Sequence, residues 1–206
     1  MTSYEPRGTN DLLLNPDNTV LTLIDYQPMQ INSINSMNRS ELVRHSEIAI
    51  KLAKLYNIPI IHSTVNVKNS RNQDTIPRLR EAIGEGVPVY DRTTINAWED
   101  KEYREAIKQT GRKKILMLAL WTEACLTFPT LDALSEGFEV YPIVDAVGGT
   151  SPLAHETALR RVEQAGAQLI SLAQLGCELQ RDWNRKETVP DFVELMAELG
   201  AFSNFA

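Results

Sequence analysis

The stretch "KKILMLALWTEACLTFPTLDAL", residues 113–134, decides the fold of this chain. Its opening run, up to Trp121, is apolar after two lysines, which is typical of a short strand buried on both faces. The run breaks at Trp121, Thr122 and Glu123, where Thr122 is a candidate helix N-cap. A helix is therefore predicted over about 122–136, and a buried strand that leads directly into a helix is half of a βαβ unit.

Short apolar runs alternate with amphipathic segments along the whole chain. Six runs are predicted to be strands, at 18–25, 58–65, 87–92, 113–121, 138–146 and 167–172. Helices are predicted over 40–57 (with Ser40 as N-cap) and about 99–110, 122–136, 151–165 and 173–183, with a last one in the tail 189–206. The pattern predicts an α/β, Rossmann-like three-layer fold: a six-stranded, mainly parallel sheet with helices on both faces, in a single domain over residues 1–206.

Composition narrows the classes of partner. The net charge is −6, with both signs spread along the chain and no basic block. This pattern argues against nucleic acid and anionic membranes, so a small-molecule substrate is expected. The first ten residues lack a secretory signal, and no apolar stretch could span a bilayer, so a cytoplasmic location is predicted. A reducing cytosol would keep the two cysteines, Cys125 and Cys177, as free thiols.

Three residues with useful chemistry come at predicted strand ends. Asp25 closes the first strand, Arg92 closes the third, and Cys125 follows the fourth. Ligands of an open parallel sheet bind beyond the carboxyl ends of its strands, near the point where strand order reverses. If Thr122 caps the helix, Cys125 lies in its first turn, where the helix N-terminus is expected to lower the pKa of a thiol and so to suit a nucleophile. Asp25 would move its proton, and Arg92 would stabilise negative charge.

Other interpretations stay open on the residues alone. A lone cysteine is most often a small buried hydrophobe, Asp25 could be a turn residue, and Arg92 could pair with Asp91 or Glu99. A different triad would join Cys125 to Asp145 and His155. No compact metal-ligand spacing or glycine-rich phosphate loop is found, and the "GG" at 148–149 is interpreted as a turn.

These residues together resemble the isochorismatase-like cysteine hydrolase family, and most closely its YcaC-related branch. The resemblance runs from about residue 18 to 188. Its motifs are "LIDYQ" (23–27), "RTTINAWED" (92–100), "LALWTEACLTFPTLDAL" (118–134), "GFEVYPIVDAVGGTS" (137–151), "RVEQAGAQL" (161–169) and "ELQRDWNR" (178–185). It implies a catalytic triad of Asp25, Arg92 and Cys125. Amidase members carry lysine in the middle position; Arg92 departs from them and is not expected to transfer protons, because arginine stays protonated.

The resemblance also implies the surroundings of the thiol. The backbone N–H groups of Trp121 and Cys125 would form an oxyanion hole, with a non-proline cis peptide between Leu120 and Trp121. The expected substrate-binding residues are Gln27, Asn96, Trp121 and Phe128. Metal-binding relatives carry T-x-D-x-H after the second strand, where this chain has "TVNVK" (64–68). Lys68 has no free lone pair, so no metal and no cofactor are expected.

The resemblance implies a metal-free hydrolase that cleaves a C–N bond of a small amide-like substrate through an acyl-enzyme. It also implies a homo-oligomer, such as an octamer. Two alternatives are kept: a non-hydrolytic oligomer that uses the thiol for redox chemistry or only binds ligands, and an isochorismate-type vinyl ether hydrolase, which does not need the cysteine.

Overall fold

A computed structural model describes residues 8–202, and the remaining terminal residues of the predicted domain lie outside it. Five strands form one sheet: β1 (Thr19–Ile24), β2 (Ile60–Val65), β3 (Val89–Arg92), β4 (Lys114–Ala119) and β5 (Glu139–Pro142). Their order is β3-β2-β1-β4-β5, and all four neighbouring pairs are parallel. The predicted α/β class and parallel sheet are confirmed.

The prediction of six strands is wrong. The run 167–172 does lie beside β5, where the backbone N–H groups of Gln168 and Ile170 donate to carbonyls of that strand. It forms only one isolated parallel bridge, at Ile170. It goes no further because Ser171 is already the N-cap of the helix Leu172–Gln180, with its side chain accepting a helix N–H.

Eight α-helices connect or cover the strands in the described part of the chain. They are α1 (Pro28–Asn32), α2 (Arg39–Leu55), α3 (Pro77–Ile83), α4 (Lys101–Gln109), α5 (Thr127–Ser135), α6 (Pro152–Gln164), α7 (Leu172–Gln180) and α8 (Val189–Leu199). The N-cap of α2 is Asn38 and not Ser40, because the Asn38 side chain accepts the N–H of Ser40 and of Glu41. The predicted tail helix is α8, and residues 203–206 of that prediction lie outside the described residues.

Side chains on both faces of the central strands are buried. Every residue of β1 and β4 is buried, which explains their near-continuous apolar sequence. The helices fall into two groups: α2 contacts α3, α7 and α8, while α5 contacts α6. Each fully buried aliphatic side chain in this core contributes about 1.5–3 kcal/mol. No helix among residues 8–202 is long and apolar enough to cross a membrane.

The strand order reverses beside β1. From β1 the chain moves outward to β2 and β3 and then crosses back to β4, on the other side of β1. The carboxyl ends of β1 and β4 are therefore the switch point, where parallel α/β sheets leave a crevice for ligands. Asp25 follows β1 and Trp121 follows β4 within two residues, so both lie at this crevice.

Candidate active site

Cys125 lies in a π-helical turn, Thr122–Leu126, between β4 and α5. The helix predicted over 122–136 is thus this turn followed by α5. Thr122 is not its N-cap: that position is Trp121, without a side-chain cap bond. Pro129, four residues after Cys125, cannot donate the N–H that an α-helix would give to the Cys125 carbonyl, which favours a wider turn at this point.

Asp25 and Arg92 form a buried ion pair. Arg92 Nη1 donates to Asp25 Oδ1 at 2.8 Å, and Nη2 donates to Oδ2 at 2.7 Å. The Asp25 side chain is 0% exposed, and the Arg92 side chain is 1% exposed. Asp25 also has a left-handed backbone, with φ of 64°, a conformation that is costly for most residues but better tolerated by Asp and Asn. The pair fixes the carboxylate in position and orientation.

Both terminal nitrogens of Arg92 make further hydrogen bonds to β2 and to the loop after β3, while its buried Nε has no partner among the described residues. Nη1 also contacts Ser63 Oγ and the Thr64 carbonyl, each at 3.1 Å, and Nη2 contacts the Ile95 carbonyl at 3.1 Å. Burial alone would lower the pKa of Arg92, but the hydrogen bonds and charge of Asp25 raise it above its ordinary value. The guanidinium is therefore a fixed positive charge.

The alternative pairing of Arg92 with Asp91 or Glu99 is not found. The Asp91 carboxylate accepts hydrogen bonds from Thr64 Oγ1 and from the backbone N–H of Val67 and Lys68. These bonds fold the segment after β2 back against β3. Asp91 is therefore occupied by that segment, while Arg92 is bound to Asp25.

Cys125 is 8% exposed, and its thiol lies within the electrostatic influence of both members of the ion pair. Burial raises its pKa well above the ordinary value, and the charge of Asp25 and the hydrogen bond to it raise it further. Arg92 and the Trp121 N–H act in the opposite direction but do not offset this. The predicted lowering of the Cys125 pKa is wrong, because burial and a neighbouring carboxylate outweigh the turn and the arginine. At neutral pH the resting thiol is protonated.

The peptide bond between Leu120 and Trp121 is cis, as the family resemblance implies. The backbone N–H of Trp121 is close enough to the Cys125 thiol to lower its pKa, against the stronger effect of burial. The half-buried Trp121 indole donates from Nε1 to Ser33 Oγ at 2.6 Å. Trp121 therefore connects the end of β4 to the segment after α1.

Two expected substrate-binding residues have their polar atoms occupied by the protein. The buried Gln27 accepts the Val65 N–H with Oε1, and its Nε2 donates to the carbonyls of Val65 and Gln73. Asn96 accepts the Trp98 N–H, and its Nδ2 donates to Asp132 Oδ2 at 2.7 Å. Both amides hold loops of the site in place. Phe128, which is partly buried in α5, has no polar atom to occupy.

The alternative triad of Cys125, His155 and Asp145 is not formed in the described structure. His155 Nδ1 bonds Thr122 Oγ1 at 2.8 Å, while both Asp145 oxygens accept the N–H of Leu172 at the start of α7. Burial lowers the pKa of His155 against the opposing charges of nearby glutamates. Among residues 8–202, no group of three His, Cys, Asp or Glu side chains is placed to hold a metal ion. The absence of a metal or cofactor in the working protein stays a prediction.

Sequence reasoning missed the polar partners around the trio. Ser63 and Thr64 follow His62 in the middle of β2, and polar residues in a buried strand were the available signal. Glu123 gave no signal, because a glutamate in the first turn of a helix is ordinary.

The fold and site define a class: parallel α/β proteins with a buried Asp–Arg pair at the strand ends beside a cysteine that follows the fourth strand. The isochorismatase domain model matches residues 19–174. The chain belongs to the isochorismatase family.

Individual relatives agree with this assignment. The chain is 29% identical to the probable hydrolase YcaC of Escherichia coli (strain K12) over 192 residues, which cover 89% of this chain and 92% of that protein. It matches YcaC from Pseudomonas aeruginosa, solved with hexane-2,5-diol and covalent acrylamide, with a TM-score of 0.81 and 29% identity over 92% of this chain and 98% of that one.

The E. coli YcaC structure, described as an octameric hydrolase of unknown specificity, also gives a TM-score of 0.81. Its identity is 28%, and the match covers 97% of this chain and 100% of that one. The resemblance to the YcaC-related branch is confirmed, and the chain is an isochorismatase-like hydrolase.

Proposed function

We propose that this protein cleaves a C–N bond of a small amide-like substrate, without a metal, through an acyl-enzyme on Cys125. The observation that carries the proposal is the buried Asp25–Arg92 pair, joined by two short hydrogen bonds, beside a buried Cys125 thiol whose pKa the Asp25 carboxylate raises. A protonated nucleophile needs an adjacent base, and Asp25 supplies one.

In the acylation step, Cys125 Sγ attacks the substrate carbonyl carbon while the thiol proton passes to Asp25. The carbonyl oxygen becomes an oxyanion, which the backbone N–H groups of Trp121 and Cys125 bind. When the intermediate collapses, the C–N bond breaks and Asp25 returns its proton to the leaving amine. Water then attacks the thioester with Asp25 as base, which releases the acid and restores the thiol.

Arg92 acts in this scheme as a fixed charge. Its N–H groups hold the Asp25 carboxylate in position and orientation, and its own proton stays in place. Trp121 and Phe128 form apolar walls for the substrate, while Gln27 and Asn96 position the loops around it.

The test is a panel of small primary amides with two readouts, amine or ammonia release and the intact mass of the protein. Turnover with a transient mass increase of one acyl group supports the proposal. The redox alternative predicts a persistent sulfenate or disulfide after peroxide and no amide turnover. Cys125 and Cys177 are both free thiols, so either product would be visible as a change in mass.

We also propose a homo-oligomer, by analogy with E. coli YcaC, which is described as an octamer. Leu12, Leu153 and Trp183 are exposed apolar side chains that an interface could cover. Light scattering at micromolar concentration should give a multiple of the chain mass, and the mass of a single chain would contradict this. The small-molecule substrate, the cytoplasmic location and the absence of nucleic-acid or membrane partners stay predictions.

A further inference from the structure

Glu123 lies in the Cys125 turn, but its side chain binds a different loop. Oε1 accepts the Thr150 backbone N–H at 3.0 Å and the Thr150 hydroxyl at 2.6 Å. Thr150 follows the glycine pair Gly148 and Gly149 after β5. One carboxylate oxygen therefore fastens the turn that carries the nucleophile to the glycine loop, which is defined here as residues 147–151.

The other oxygen of Glu123 is buried without a hydrogen-bond partner among the described residues. It lies so close to Gly149 that a Cβ built there would be 2.6 Å from Oε2. A buried carboxylate oxygen that lacks a partner is unfavourable, so folding stability alone is a poor reason for a glutamate here. Close packing explains why position 149 is glycine, because a Cβ there would also lie 3.0 Å from His155 Cβ and 3.2 Å from its Cα, while φ there is not in the left-handed region.

The glycine loop is also bonded to the segment that follows α1. Gly149 N donates to Ser36 Oγ at 2.9 Å, and its carbonyl accepts the N–H of Asn35 at 3.1 Å. Ser33, in the same segment, accepts the Trp121 indole N–H. Bonds from Glu123 through the glycine loop and residues 33–36 thus return to Trp121 and form a closed ring.

The two backbone N–H groups proposed to bind the oxyanion belong to this ring and to the turn that it clamps. Trp121 is a member of the ring, because its indole N–H donates to Ser33. Cys125 lies two residues after Glu123, in the turn that Glu123 binds to the glycine loop. An oxyanion hole works only if its donors converge on one point, and a displacement of about 1 Å can cost about 10²-fold in rate.

We propose that Glu123 is a positioning residue that fixes the spacing of the Trp121 and Cys125 N–H groups by clamping the turn onto the glycine loop. It touches neither the substrate nor the reacting atoms. The inference rests on the proposed function, because the spacing matters only if these N–H groups bind a carbonyl oxygen.

The test compares two reagents that modify the same thiol. With acrylamide, Cys125 Sγ bonds to the β-carbon, the C=C π bond breaks, and the thiol proton ends on the α-carbon after negative charge has passed through the carbonyl oxygen. With methyl methanethiosulfonate, Sγ bonds to the methylthio sulfur and methanesulfinate leaves, so no carbonyl oxygen is involved. The rate constant for acrylamide divided by that for methyl methanethiosulfonate, both at Cys125, reports on the oxyanion hole. Peptide mass spectrometry measures the same ratio at the exposed Cys177, which is the internal reference.

Three variants make the test specific. Glu123→Ala removes the clamp and should lower the Cys125 ratio about tenfold or more, with the Cys177 ratio unchanged. Thr150→Val removes only the hydroxyl donor and should lower the ratio by about threefold. Glu123→Gln keeps an oxygen acceptor for Thr150 and should stay within about twofold of the wild type.

A lower melting temperature in Glu123→Ala with an unchanged Cys125 ratio would give Glu123 a structural role only and overturn the proposal. If Glu123→Ala does not fold, Thr150→Val decides: a wild-type ratio in that variant overturns it as well. A wild-type protein whose Cys125 ratio equals its Cys177 ratio would instead contradict the oxyanion hole, and with it the proposed function.

Discussion

Asp25 has three functions in one buried side chain. It ends β1 in a left-handed backbone conformation, it neutralises Arg92, and it lies against the Cys125 thiol. Its position could be predicted from the sequence, because a carboxylate at the end of an apolar strand needs a partner or a use. Its left-handed φ could not be predicted from the sequence, since that angle depends on how the chain leaves the sheet.

Replacing Asp25 by Asn removes the base and the counter-ion together. Turnover should be lost, because an amide cannot take the thiol proton. The free energy of unfolding should fall by about 3–5 kcal/mol, since the buried Arg92 charge would be left uncompensated. Chemical denaturation and the amide assay measure the two effects. Glu105→Gln, in an exposed ion pair, is the matched control and should change neither; an Asp25→Asn protein as stable as wild type would contradict the buried pair.

The raised pKa of Cys125 predicts the pH dependence of its alkylation. Because only the thiolate reacts, the rate constant for iodoacetamide at Cys125 should be low at pH 7 and keep rising above pH 9. In Asp25→Asn the nearby negative charge is gone, so the rise should move to lower pH. Rates followed by peptide mass spectrometry would reveal this, and a wild-type midpoint near the ordinary thiol value would count against the buried, carboxylate-bound thiol.

At the scale of elements, β4 and its following helix were predictable, and the turn between them was not. Buried strands and amphipathic helices follow from apolar periodicity. Pro129 is a local signal against an ordinary α-helical turn, but the π-helical form and the bond that Thr122 makes to the distant His155 were not contained in the local sequence. The sixth strand was overpredicted for a related reason, because an apolar run does not reveal that the next helix begins at once. The short helices α1 and α3 each begin with a proline, a signal that was available and not used.

The link between Asn96 and Asp132 joins the loop after β3 to α5. Asp132→Ala should lower the free energy of unfolding by about 1–3 kcal/mol, because the buried Asn96 amide loses its acceptor. Asp132→Asn keeps an oxygen acceptor and should retain most of that stability. Denaturant titration of both variants measures the difference, and equal losses in the two would show that the hydrogen bond is not the cause.

For the whole molecule, the sheet order brings together residues that are 100 positions apart, as Asp25 and Cys125 are. The meeting of strand ends was predictable from the βαβ pattern, since parallel strands place their carboxyl ends at one edge. The hydrogen-bond partners within the site were not predictable. Gln27 and Asn96 were expected to bind substrate, and their amides bind protein groups instead. Packing decides such partners, and sequence periodicity does not contain that information.

His62 should make the whole fold sensitive to acid. It is buried in β2, bonds Thr75 Oγ1 at 2.6 Å, and has a pKa lowered to about 4 by burial and by the Arg80 charge, against the opposing charge of Asp74. The unfolded state takes up a proton near pH 6.5 and the folded state only near pH 4. Stability should therefore fall between these values, by about 3 kcal/mol.

The variant His62→Gln keeps a donor for Thr75 and cannot titrate, so its loss of stability over this pH range should be smaller than that of the wild type. Denaturant midpoints measured from pH 7 to pH 4 give both curves. Parallel curves would mean that other groups account for the acid sensitivity.

The central claim is that Cys125 carries the covalent chemistry, and the most direct test is intact-mass and peptide mass spectrometry during turnover of an active amide. The wild type and the matched variant Cys177→Ser should both show an acyl group on Cys125 that disappears as the amide is consumed. Cys125→Ser should show no thioester and no measurable turnover. Full turnover by Cys125→Ser would contradict the account and favour chemistry that does not need the thiol.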